Sequence, residues 1–395
     1  MTFPQVTINQ LNTRSGGKRE IARTLLMVGE HTKAITPTPV TAQTDLDALL
    51  GTKSTPLRSN VQAFLDNAGQ NAMIWLATVQ KTSSTAPSIP FLPSVTQTDQ
   101  PAAQPAGQTQ TWADVVMDAQ ATVSAEGVIV VRPDATADDI NKAQQLREEL
   151  TNKYQRWTWF ILAVRGCGTG EKWAEYVTAM TALQKGIAAY AVQLAPMLFG
   201  NEPGVLAGRL CNPSVTIADS PARVATGALV DLGRSDKPQD SDKRELDLAT
   251  IKALNRARFS VPTWYPDYEG YYWADGVTLD VDGGDYQAIE YLRVADEMAR
   301  QVRLLAIPKI ANRSLNSTPT SVATHQQLFA KPMRDGAKSL KINGTVFPGL
   351  CMSPRDGDVQ ITWPEKDKVQ IAIVVRPYNC PKEITISIML DESGE

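Results

Sequence analysis

Gly166-Cys167-Gly168-Thr169-Gly170-Glu171-Lys172 is the stretch whose residue types come nearest to chemistry. Glycines between a predicted strand and a predicted helix can turn several backbone N–H groups toward one phosphate. The spacing fits neither familiar arrangement. The third glycine that a dinucleotide-binding turn needs is missing after Gly170. No Gly-Lys-Ser/Thr ending is present either, because Glu171 follows Gly170 and Trp173 follows Lys172. The pattern favours a tight strand-to-helix turn, and a nucleotide-binding α/β enzyme built on residues 166–172 stands as the alternative function. Asp280-Val281-Asp282-Gly283-Gly284-Asp285 opens like a calcium loop, but its twelfth position is Tyr291 where a glutamate is required. The expectation there is a turn, with Asp285 capping the helix that follows. His31 and His325 are the only histidines and neither has a nucleophile motif beside it. The aromatic run at 264–273 (Trp264, Tyr265, Tyr268, Tyr271, Tyr272, Trp273) could stack on a sugar or base, yet its Pro and Gly neighbours point to a packed turn or an interface. These residues support no catalytic residue, no cofactor and no metal site.

The elements around them alternate between strand and helix. Apolar runs at 24–29, 73–79, 127–131, 157–164 and 187–194 read as strands buried on both faces. Helical stretches fall between them at 61–69, 112–121, from Thr136 as N-cap through Tyr154, and at 172–185. That order implies a largely parallel sheet covered by helices on both faces. Residues 81–111, rich in Ser, Thr, Pro, Gln and Ala, read as a long loop or projecting insertion. Small residues at 205–210 would let a short helix pack closely on its neighbours, and residues 235–247 read as a charged surface turn. Helices are expected at 246–257, 286–303 and 322–329, the second with Ile289, Leu292, Ala295, Ala299 and Val302 on one face.

The 395 residues suffice for roughly two or three domains. A formal net charge of −3 and the absence of a strongly basic domain give no support to direct nucleic-acid binding. No run reaches the ~20 apolar residues of a membrane helix, so no membrane insertion is expected. Cys167, Cys211, Cys351 and Cys380 are far apart, form no C-x-x-C pair and suit idle thiols in a reducing compartment.

The two ends of the chain carry the remaining signal. Residues 369–375 and 384–390 alternate apolar and polar residues and are rich in β-branched side chains, so each reads as a half-buried strand. Pro377 and Pro381 between them interrupt any ladder. Ile384, Ile386, Ile388 and Leu390 would form one apolar row, which either closes a sheet in its own domain or is handed to a neighbour. Val6, Thr7 and Ile8 make a shorter alternation before a Gly- and Arg-rich hinge at 14–19.

Several stretches resemble the contractile tail sheath proteins of myophages, R-type pyocins and type VI secretion systems. Residues 203–209 and 219–227 are similar to the sheath pattern in which Pro and small residues lead into a helix and then a P-A turn. Tyr272-Trp273-Ala274-Asp275-Gly276-Val277-Thr278-Leu279 is similar to the Trp-Gly and Thr-Leu segment that follows, with Ala274 in place of the usual glycine. Tyr291-Leu292-Arg293-Val294 resembles the next helix, and Pro381-Lys382-Glu383-Ile384-Thr385-Ile386 the run into the last strand. The resemblance is closest to short phage sheath-like members and covers residues 185–395 best.

It implies an α/β fold with an outer domain at 21–245, whose mixed, largely parallel sheet is flanked by helices and which carries the 81–111 insertion. A smaller α+β inner domain at 246–383 would face the tube, with strand-exchanging arms at 1–20 and 384–395. The implied function is a structural subunit, not an enzyme. It would polymerise helically around a tail tube and contract to drive that tube through a host envelope. The implied partners are many copies of itself, the tail tube protein, and the baseplate and tail terminator proteins. The implied location is the virion tail, after assembly in the host cytoplasm. Arms at Val6, Thr7, Ile8 and at Ile384, Ile386, Ile388, Leu390 would join subunits, and Lys331, Arg334, Lys338 and Lys341 are candidates for contact with the tube.

Overall fold

The computed structural model describes residues 22–69, 72–80 and 110–388. The expected arm at Val6, Thr7 and Ile8, nearly all of the 81–111 insertion, and Leu390 lie outside the described residues.

The first half alternates as its pattern requires. β1 (Leu25–His31), β2 (Thr38–Thr41), α1 (Leu46–Leu50), α2 (Pro56–Ala68) and β3 (Met73–Gln80) come first. They are followed by α3 (Trp112–Thr122), β4 (Gly127–Val131), α4 (Ala137–Tyr154), β5 (Trp159–Val164), α5 (Trp173–Gln184), β6 (Val192–Pro196) and α6 (Glu202–Cys211). The strands form one six-stranded sheet in the order β2-β3-β1-β4-β5-β6, and every neighbour is parallel except β2 with β3. β4, β5 and β6 are buried along their whole length, which is why their sequences are continuous apolar runs with no alternation. α3 and α4 begin in capping boxes, Thr111 with Asp114 and Thr136 with Asp139, which satisfy otherwise orphaned N–H groups. The fifth strand starts later than its apolar run: Gly186 takes a positive φ and Ile187 N–H bonds back to Gln184, so the chain is still turning there.

α6 is buried on every side. A Cβ on Gly204 would fall 2.1 Å from the Asn60 carbonyl oxygen, and one on Gly208 2.6 Å from that of Phe64. α2 and α6 therefore touch backbone to backbone, and Asn60 Oδ1 accepts from Gly204 N–H at 2.8 Å across the contact. This is the close packing that the small residues at 205–210 implied.

The second half contains α7 (Leu248–Arg256), the hairpin of β7 (Pro262–Tyr265) and β8 (Tyr268–Trp273), and the long α8 (Ile289–Ala306). α9 (Pro319–Phe329), α10 (Lys331–Gly336) and two further hairpins follow, β9 (Leu340–Ile342) with β10 (Thr345–Phe347) and β11 (Val359–Glu365) with β12 (Lys368–Ile373). The aromatic run is the β7–β8 hairpin. α8 starts three residues later than expected, and Asp285 does not cap it: Ala288 holds the cap position with no side-chain bond. Asp280 organises the turn instead, its carboxylate accepting from Val281 N–H at 2.9 Å and Tyr286 N–H at 2.8 Å. An acceptor further upstream reaches more of the turn's free donors. Residues 384–388, expected as part of a strand, form none with the described residues of their own subunit.

Two apolar cores lie among the described residues. One surrounds the six-stranded sheet and ends with Ile289 and Leu292, and the other starts at Val294 and gathers Met298, Phe329, Met333 and the β11–β12 ribbon. Leu292 and Val294 are about 200° apart around a helix, so α8 is packed between the cores and serves both.

Candidate assembly surface

The glycine loop is closed by its own side chain. Glu171 accepts from Gly168 N–H at 3.0 Å and takes both ends of the Arg165 guanidinium, at 2.6 and 2.9 Å. The Arg165 hydrogen bonds hold its carboxyl below the usual carboxylate range. A Cβ at Gly166 would meet the Met197 carbonyl oxygen at 2.3 Å, so this glycine serves close packing. A phosphate here would meet a resident carboxylate and donors already engaged. The crevice beyond β1 and β4, where the strand order reverses and doubly wound sheets bind ligands, is similarly filled. Arg132 lies there 3.1 Å from Asp134 and 3.8 Å from both Glu30 and Asp139. His325 is buried with Nδ1 2.8 Å from the Ser321 carbonyl oxygen, and Nε2 of His31 lies 3.2 Å from the Leu50 carbonyl oxygen. Among the described residues no group of His, Cys, Asp or Glu is placed to hold a metal, and no helix is long and apolar enough to cross a membrane.

What the surface offers is unpaired β structure. Ile384, Ile386 and Ile388 are 74, 79 and 91% exposed, at odds with the burial that isoleucine ordinarily finds. They alternate with exposed Thr385 and Ser387. Nearby, β11 and β12 form a ribbon of two strands with no third strand on either edge among the described residues. One face of it packs through Val359, Ile361, Val369, Ile371 and Ile373 on the second core. A ribbon of this size is marginal alone, and its open edges are templates for another strand.

Between ribbon and arm the chain is tied down twice. Arg376 pairs with Asp358, whose carboxyl is held down at about 2 chiefly by that hydrogen bond. Lys382 then pairs with Asp275, just after β8, and with Glu290 in the first turn of α8, at 3.0 Å from its Oε1. Burial pushes the Glu290 carboxyl up, and Lys382 opposes that shift. A cleft of about 780 Å³ opens beside this root, lined by Tyr265, Tyr268, Phe347, Tyr378, Lys382 and Ile384 among others.

The basic candidates at 331–341 are all exposed. Arg334 donates to the Gln327 side chain and carbonyl at 2.9 and 2.6 Å, and Lys338 to Asp335 at 2.7 Å.

A buried polar layer has no signature in the sequence. Arg293, Asp296 and Arg300 lie on one stripe of α8, at i, i+3 and i+7, and all are buried. Arg293 pairs with Glu126 and donates to the Leu210 carbonyl at 2.9 Å. Arg147 grips Asp296 with two bonds of 2.8 and 3.0 Å. These pairs join α8 to β4 and α4. Alternating charge on a helix reads as solvated, and only packing against β4, α4 and α6 makes this face interior.

Glu202, at the start of α6, is fully buried and accepts from Gly200 N–H at 2.9 Å and from Phe199 N–H. Burial pushes its carboxyl up to about 7 despite those bonds. The folded state thus keeps a proton that the unfolded chain loses near the ordinary 4.5. The stability this proton confers is complete below about pH 4.5 and is lost as pH rises to about 7. Glu202→Gln is expected to remove that slope. Urea unfolding at pH 4.5 and 7 should show wild type losing roughly 3 kcal/mol more than the variant between them. Parallel curves would contradict the assignment.

Comparison with known proteins gives consistent matches. The chain matches the family models DUF2586, N-terminal domain, over residues 3–277 and DUF2586, C-terminal domain, over residues 285–393. It is 49% identical over 398 aligned positions to the "Putative tail sheath protein" of Haemophilus phage HP1 (strain HP1c1), covering 98% of each chain. Its fold is similar to that of a chain in the cryo-EM structure of the anti-feeding prophage baseplate, with a TM-score of 0.58, 11% identity and 99% of each chain covered. It is also similar to the crystal structure of the sheath tail protein Lin1278 from Listeria innocua, with a TM-score of 0.52, 9% identity, and 90% of this chain and 92% of that one covered.

Proposed function

The chain belongs to the DUF2586 family and to the phage tail sheath proteins, and from that premise we propose how its copies are joined. It is a structural subunit of a contractile phage tail, a component of the virion and not an enzyme. In our reading, copies polymerise helically around the tail tube. Residues 384–390 of one copy add as a strand to the open edge of the β11–β12 ribbon of another, and the arm carrying Val6, Thr7 and Ile8 makes a second such link. One observation carries this: an isoleucine row exposed and, among the described residues, unpaired, in a fold whose described residues also leave the β11–β12 ribbon without a third strand.

Strand addition suits a sheath because backbone hydrogen bonds hold subunits together while the hinged arms let them slide and rotate. An interface between two different surfaces repeats without closing and so builds a helix. Contraction then draws on the difference in packing free energy between extended and contracted lattices, and drives the tube through the host envelope. Residues 246–383 face the tube, with Lys331, Arg334, Lys338 and Lys341 as contacts. Residues 21–245 face outward with the 81–111 insertion exposed, and the baseplate and tail terminator proteins bound the polymer.

Negative-stain electron microscopy of the purified chain tests the polymer directly. Long tubes or stacked rings are expected as concentration rises. Single compact particles at every concentration would reject the reading.

A further inference from the structure

We infer that Lys382 is a positioning residue that fixes where, and in what direction, the C-terminal arm leaves its subunit. The inference rests on the reading of residues 384–388 as a strand given to another copy, and adds to it a device for aiming that strand.

The chain is held at two charged stations, with a weaker contact between them where the Cys380 thiol lies 3.9 Å from Glu290 Oε1. Val374 N–H bonds the Asp358 carbonyl at 2.8 Å, Met352 N–H bonds the Arg376 carbonyl at 2.8 Å, and Arg376 pairs with Asp358. This fixes the segment as far as Arg376. Lys382 is the second station, and Ile384, the first of the exposed isoleucines, comes two residues later.

The geometry at Lys382 is that of a clasp. Its ammonium lies between Asp275 and Glu290, carboxylates carried by different elements of its own subunit. Asp275 follows β8 and Glu290 sits in the first turn of α8. Gly276, directly after Asp275, brings the two close, since a Cβ there would fall 2.6 Å from Ile289 Cγ2. The Glu290 side chain is 1% exposed, so an uncharged residue at 382 would leave a buried carboxylate without its cation. The clasp therefore joins the segment before the arm to the start of α8 and the turn after β8.

The consequence is entropic. With the clasp closed, free chain starts at residue 383. With it open, only the weak Cys380 contact holds the chain beyond residue 377, and Ile384 samples a larger volume. The effective concentration of a tethered strand at its acceptor falls steeply with the length of its tether, and a pre-aimed strand loses less freedom on docking.

The test uses the full-length chain and reads the protein concentration at which tubes form, by pelleting and electron microscopy. Lys382→Met is expected to fold, with a cooperative melt, and to need roughly three- to tenfold more protein to assemble. Hydrogen exchange should rise at residues 378–388 and not in the sheet. Lys382→Arg, which keeps the charge, should return the threshold to within about twofold of wild type. If Lys382→Met does not fold, Asp275→Asn decides, because it weakens the clasp without stranding Glu290: a raised threshold supports the inference and an unchanged one overturns it. A chain ending at Glu383 separates this from the parent reading. If that chain assembles like wild type, strand donation itself fails and the clasp with it. If it does not assemble while Lys382→Met matches wild type, strand donation stands and the clasp is overturned.

Discussion

A chain ending at Glu383 is expected to remain a folded, soluble subunit and to lose tube formation. Its own core should survive, because Ile384, Ile386 and Ile388 are exposed and belong to neither apolar core. The loss falls on the contact between copies. Burying an isoleucine contributes about 1.5–3 kcal/mol, and each ladder hydrogen bond a net of about 0.5–1.5 kcal/mol. Three isoleucines and a few bonds give on the order of 5 kcal/mol or more per link, before the cost of ordering the arm. At 1.4 kcal/mol per decade, that is roughly a thousandfold or more in assembly threshold. Ile386→Asp places a charge in the middle of the row and should reproduce most of the effect without shortening the chain. Sedimentation velocity with electron microscopy checks both variants. Tubes from either at wild-type concentration would remove the basis for strand donation.

The second large effect is expected at Arg293. Arg293→Met should destabilise the subunit by about 3–5 kcal/mol, because it leaves Glu126 buried without its hydrogen-bonded cation. Arg300 lies 3.8 Å from Glu126 but makes no hydrogen bond to it. The double variant Glu126→Gln/Arg293→Met should recover much of the loss, because two uncharged residues of similar size leave no uncompensated charge. Urea unfolding of the single and double variants measures this as a mutant cycle. A single variant within about 1 kcal/mol of wild type would mean that the buried pair does not hold α8 against the sheet.

Five of the six strands of the sheet are legible because burial on both faces leaves a direct trace in composition; β2, short and only partly buried, has no such trace. β4 was read to the residue, and the Thr136 cap and the glycine turn after β5 followed from local chemistry that needs no distant partner. Asp285 and the late start of α8 were misread because two carboxylates lay within reach of the same turn, and sequence spacing does not rank them. The tail sheath resemblance was legible in residues 203–227, 272–279 and 381–386. The clasp was not, although Lys382 lies within residues 381–386. Nothing along the chain ties position 382 to positions 275 and 290, which only folding makes neighbours.

Periodicity and residue type by themselves determined the main alternation of strands and helices, though not β2, α1 or the β7–β8 hairpin, together with the α/β class and the unusual apolar row at the C-terminal end, because each is set within a few residues by backbone geometry and side-chain shape. Tertiary structure alone decided that α8 is interior on both sides, that its charges are paired with Glu126 and Arg147, and that the isoleucine row finds no partner among the described residues of its own subunit. The reason is physical: burial of a charge, and the vacancy of a sheet edge, depend on what arrives from far along the chain.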